Sequence, residues 1–258
     1  ADEVHHHYPS VVDELEQTFG WLLKFQPTVV LISDADNFRR VVPNPLFIAV
    51  AIPSRNTIVI DTSRVQTGPH NLRVTLAHEL AHLLLHQHID SVQLPRWLDE
   101  GVCQWFTGGV AEVLLDRYRP MLGKALGSGE TIELAELSDR FPSDQRSLML
   151  AYEQSRDIVT FIANRYGSEK LIGILNRMRA GDTIDESLQA QLDISVEELE
   201  KLWQRKLTGG VIWWGRVANN LHTILFSLAA ILTVAGFLIR RHRRRGIFED
   251  DEETEGID

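Results

Sequence analysis

His78-Glu79-Leu80-Ala81-His82 reads HELAH, an HExxH pattern inside the run RVTLAHELAHLLLHQH of residues 73–88. Residues four apart lie on one face of a helix, one turn from each other. Two imidazoles at that spacing can hold one Zn²⁺, and the Glu between them stands beside the water that the metal activates. Leu76, Ala77, Leu80, Ala81, Leu83, Leu84 and Leu85 make this helix apolar nearly all round, so it is expected to be buried. A buried His, Glu, His stripe is costly unless a cation and hydrogen bonds satisfy it. Glu79 is therefore the expected general base, taking a proton from the attacking water.

A catalytic zinc needs a third protein ligand and one open position. His86, His88 and Glu100 compete for the role. His86 lies about 12 Å along the helix axis from His78, too far for bonds of about 2.0–2.1 Å to one ion. His88 requires the helix to break before it, and no Gly lies between 82 and 88. Glu100 follows in Leu94-Pro95-Arg96-Trp97-Leu98-Asp99-Glu100-Gly101, on a second helix that can pack across the first, and is preferred. His86 and His88 are left as a polar helix end.

Working outward, residues 10–25 carry Val12, Leu15, Phe19, Leu22 and Leu23 near helical spacing. Thr28–Ile32 is a β-branched run that reads as a strand. Phe47–Ile52 and Thr57–Asp61 read as strands joined by the turn Pro53-Ser54-Arg55-Asn56. The motif helix is expected over 71–86 and the Glu100 helix over 96–107. Residues 121–147 hold at most a short helix. A long helix spans 148–166 and stops at Gly167. Capping boxes at Thr183-x-x-Glu186 and Ser195-x-x-Glu198 start two more. The fold class is α+β, with a small β-sheet, helices carrying the site, and a helical C-terminal half.

The 258 residues carry a net charge of −10, which argues against a nucleic-acid partner. Cys103 is the single cysteine, which excludes an intrachain disulfide and a Cys-based metal site. Residues 217–239, VANNLHTILFSLAAILTVAGFLI, lack Asp, Glu, Lys and Arg. As a helix they span roughly 35 Å, enough to cross a bilayer. Trp213 and Trp214 precede the stretch, and Arg240, Arg241, Arg243, Arg244 and Arg245 follow it. The positive-inside rule then sets the C-terminus in the cytoplasm. The expected organisation is an extracytoplasmic domain over 1–210, a juxtamembrane linker at 211–216, one transmembrane helix at 217–239, and a basic-then-acidic cytoplasmic tail at 240–258. An export signal is expected to have been removed ahead of Ala1. Leu207 is expected to end the last domain helix, so residues 208–216 reach at most about 30 Å even when extended. Substrates are then peptides or proteins near the membrane surface.

AHELAHLLL together with LPRWLDEGVCQWF resembles the gluzincin metallopeptidases, the thermolysin and aminopeptidase-N-like clan, and looks closest to its compact bacterial peptidase MA-like members. The similarity continues through AYEQSRDIVTFIANRYG and ISVEELEKLWQRKL and covers roughly residues 70–207. The resemblance implies a zincin-like fold, one zinc per chain, His78, His82 and Glu100 as ligands, and Glu79 as base. It also implies that Thr57–Asp61 is the edge strand over the cleft. Tyr152 sits where relatives place an oxyanion-stabilising Tyr or His, with a core tyrosine as the plain alternative. No Gly-x-Met-Glu-Asn type motif precedes His78, which departs from the aminopeptidases and favours an endopeptidase.

Three lesser candidates remain. Asp99 can orient a ligand His, Cys103 reads as core, and His70 reads as a loop residue. The expected activity is a membrane-tethered zinc endopeptidase. Its rivals are a non-catalytic assembly module on the same fold and a zinc hydrolase of a non-peptide amide.

Overall fold

The computed structural model describes residues 1–65, 71–109, 122–123, 125, 130–219 and 235. The chain divides into two units, 1–207 and 208–258, and the first carries the features below.

Helix α1 spans Asp2–Phe19 and buries Val4, Val11, Leu15 and Phe19. It starts earlier than the spacing suggests and stops at Gly20, whose φ of 67° suits a residue without Cβ. The helical spacing past that point is fortuitous. Leu22 is 71% exposed, while Trp21 turns inward and donates from Nε1 to Asn176 Oδ1 at 2.7 Å.

Strands β1 (Thr28–Ile32), β2 (Ala49–Ile52) and β3 (Thr57–Asp61) form one sheet in the order β1-β3-β2. A short helix α2 (Ala35–Val41), not foreseen from sequence, follows β1. β1 runs parallel to β3 with Thr28 opposite Thr57. β2 runs antiparallel to β3 with Ile52 opposite Thr57, joined by the turn Pro53–Arg55 and Asn56 at φ 46°. The expected hairpin therefore forms, but β3 is not the edge strand. It is central, and β2 is the edge beside the cleft described below. The physical reason is visible in β3 itself. Ile58, Val59, Ile60 and Asp61 are buried in succession, the run expected where both flanks and both faces are covered.

Helix α3 (Leu72–His88) begins at Asn71, whose side chain accepts from Val74 N, and is buried without a break from Thr75 to Leu85. Each of its leucines contributes about 1.5–3 kcal/mol by leaving water. It packs on β2, α1 and α4 (Arg96–Phe106). Among the described residues of 121–147 stands a four-residue helix, α5 (Glu136–Asp139). Helix α6 (Gln145–Tyr166) starts at the Asp144 cap, earlier than expected, and ends at Gly167. Helix α7 (Ser168–Arg179) follows, also not foreseen. Both capping boxes form, at Thr183 for α8 (Ile184–Leu192) and at Ser195 for α9 (Val196–Asn219). Trp203 on α9 is fully buried and donates to Asp157 on α6 at 2.7 Å.

Helix α9 passes Leu207 and runs on to Asn219, so residues 208–216 are helical rather than extended. Among the described residues no helix is long and apolar enough to cross a membrane. Most of 217–239, the arginine run, the acidic tail and His70 lie outside the described residues.

Candidate metal centre

Helices α3 and α4 bring three ligand atoms together. His78 Nε2 and His82 Nε2 are 3.2 Å apart, and Glu100 Oε2 lies 3.8 Å from the first and 3.5 Å from the second. A tetrahedral ion with bonds of about 2.0–2.1 Å has ligand–ligand edges of roughly 3.3–3.4 Å. The triangle is thus close to the size a metal requires. His78 and Glu100 are fully buried and His82 is 4% exposed. Glu100 Oε2 has no hydrogen-bond partner among the described residues, so an acceptor is aimed at the centre of the triangle. The residues fit a cation. Glu79, on the turn between the two histidines, is fully buried as well.

The other Glu100 oxygen is occupied. Arg96, four residues earlier on α4, reaches Oε1 at 2.6 Å, and the Tyr152 hydroxyl donates to it at 3.4 Å. The two contacts leave Oε2 as the free end. Arg96 was not foreseen in this role, although the i, i+4 spacing in RWLDE is a readable signal. Tyr152 comes from α6, its ring edge-on to Phe47 and Phe141. Gly101 makes this possible. A Cβ there would stand 2.4 Å from Ser155 O and 2.5 Å from Val159 Cγ2, so only glycine lets α4 and α6 approach this closely.

Asp99 supports the second ligand. His82 Nδ1 donates to Asp99 Oδ1 at 2.7 Å, which turns Nε2 toward the centre. Asp99 Oδ2 accepts from His86 Nε2 at 3.0 Å. His88, at the helix end, donates to Leu22 O at 2.8 Å and packs on Trp21. The Nε2 atoms of both His86 and His88 are thus engaged elsewhere than at the triangle. Cys103 is buried one turn from Glu100.

Electrostatics agree with a site built for positive charge. Burial drives the His78 imidazole below its ordinary range. Burial opposes charge on His82 too, but the adjoining Asp99 carries that imidazole well above its usual value. Burial would raise Asp99 and Glu100, yet His82 holds the first carboxyl far below its usual range and Arg96 does so for the second. Burial pushes the Cys103 thiol up to about 12, although its sulfur lies with His82 and Asp99 in a second group of ligand-type atoms. The raised His82 pKa favours a proton on that imidazole, a charge that a bound cation would replace.

Two clefts meet at His86, Arg96 and Asp99. One, of about 250 Å³, is also lined by His82 and by Phe47, Val50, Ala51 and Pro53 on and beside β2. The other, of about 710 Å³, runs along residues 91–95 to Ser138, Asp139 and Thr183.

Residues 39–209, about two thirds of the chain, match the family described as the Peptidase MA superfamily. No curated protein and no solved structure matches the chain.

Proposed function

Because the chain belongs to the Peptidase MA superfamily, we propose that it is a membrane-tethered, zinc-dependent endopeptidase of the gluzincin type. The observation that carries the reading is the convergence of His78 Nε2, His82 Nε2 and Glu100 Oε2 on one buried point, on the helix turn that also carries the buried Glu79. Zinc, when bound there, supplies the Lewis acid that polarises a scissile carbonyl and acidifies water. Glu79 accepts the proton of the attacking water and returns it to the departing amine. Arg96 holds Glu100 by Oε1 and leaves Oε2 available as a ligand, and Asp99 orients the His82 ring so that Nε2 would serve as another. Tyr152 is the proposed donor to the developing oxyanion.

The edge of β2 and the two adjoining clefts support an extended peptide crossing the site rather than a chain end held in a closed pocket. The apolar stretch 217–239 with its flanking arginines supports the tether, with residues 1–210 outside the cytoplasm and protein substrates near the bilayer surface.

The decisive experiment is Glu79→Gln. It should leave metal content and fold intact and reduce peptide hydrolysis by about 10²–10⁴-fold, the usual contribution of a general base. Turnover near wild type in metal-replete protein would overturn the mechanism.

A further inference from the structure

His86 takes no part in the chemistry above, yet it is firmly held. It stands one helical turn beyond His82, with its side chain 16% exposed. It lies eight residues from His78, beyond the reach of one ion. Its Nε2 is already committed to Asp99 Oδ2 at 3.0 Å. The other oxygen of the same carboxylate receives His82 Nδ1 at 2.7 Å. Arg96 Nη1 lies 3.8 Å from Oδ2, too far to share the task as a hydrogen bond.

The χ2 torsion of Asp is broad and roughly two-fold, so a carboxylate held by one bond can swing about it. A second bond on the opposite oxygen removes that freedom. The plane of the Asp99 carboxylate in turn fixes the tautomer and the ring plane of His82. We propose that His86 is a positioning residue for the metal centre: it pins Asp99, and Asp99 aims His82. The inference rests on the reading of His82 as a ligand. It makes the motif one histidine longer than HELAH, with the third imidazole one layer behind the metal.

The test measures Zn²⁺ affinity of the full chain in detergent, by competition with a chromogenic chelator, with circular dichroism to verify folding. His86→Leu and His86→Asn should both keep one zinc site but weaken it about 10–100-fold, the usual effect of losing an outer partner of a ligand. Asn is polar but too short to reach Asp99. His86→Gln, whose amide nitrogen can stand where Nε2 stands, should stay near wild type. In an Asp99→Ala background, His86→Asn should cause no further loss. Wild-type affinity in the Asn variant overturns the proposal. So does equal loss in the Gln and Asn variants, or a loss that persists without Asp99. If His82→Ala binds zinc as wild type does, the ligand assignment itself fails and the inference falls with it.

Discussion

Helices α3 and α4 and helices α7 to α9 obey opposite rules of burial. Between His78 and Gln104 the protein buries His78, Glu79, His82, Asp99, Glu100 and Gln104. From Ser168 to Leu207 the one buried polar residue is Ser187, and the charges stay at caps and on the surface. Leu171, Ile174, Leu175 and Met178 show that a helix here can be made stable with an ordinary apolar stripe. The ionisable groups on α3 and α4 are therefore not needed to hold helices together. Desolvating so many charges costs several kcal/mol per ion unless partners or a cation offset it. Function, rather than stability, accounts for that region.

The contrast breaks first at the ligands. His78→Ala, His82→Ala or Glu100→Ala should each lose most of the bound metal, read by elemental analysis of the purified protein, because one of three protein ligands is gone. His88→Ala, directed at Leu22 O, should retain it. Metal retained in Glu100→Ala would undo the triangle.

Acidity gives the next effect. Asp99 raises the His82 pKa, so a proton on that imidazole competes with the metal. Metal affinity should then fall as pH falls, by about tenfold per pH unit while one proton is displaced. An affinity flat from pH 8 to pH 5 would exclude that exchange.

Tyr152→Phe should lower kcat by roughly 10²-fold with little change in KM, as for other oxyanion donors. If zinc affinity drops instead while metal-replete turnover holds, the hydroxyl serves Glu100 Oε1, which lies 3.4 Å away.

The smallest effects compare two glycines. Gly101→Ala puts a Cβ against Ser155 backbone and Val159 and should cost about 1–3 kcal/mol in thermal unfolding. Gly173→Ala, in α7, meets only the end of the Gln191 side chain at 2.8 Å, which can swing away. It should be neutral, or stabilise by up to about 1 kcal/mol through helix propensity. Equal melting shifts would remove the distinction between the tight seam and the ordinary one.

Short-range signals made much of this legible in the sequence. HELAH, the Thr183 and Ser195 capping boxes and the β2–β3 turn each lie within a few residues, and all form as local structure. Glu100 is legible because an i, i+8 ligand set is geometrically impossible on one helix. Part of what escaped depends on distant partners. The central place of β3 is decided by β1, some 25 residues earlier, although its unbroken apolar run was a hint. The grip of His86 on Asp99 needs α4 to cross α3 at that height. The end of α1 is hidden from a spacing argument because the apolar spacing continues past Gly20 while the helical backbone does not. Helix α7 has apolar residues at helical spacing but no side-chain cap to mark its start.

Helix α4 carries Arg96, Asp99 and Glu100 within about one turn of a single short helix, seated by Gly101 against α6. A slide of that helix would withdraw the third ligand and the support of the second in a single movement. Release of a metal held here should then be an all-or-none event. Its rate should follow the rare excursions of α4 rather than the stepwise loosening of one bond after another.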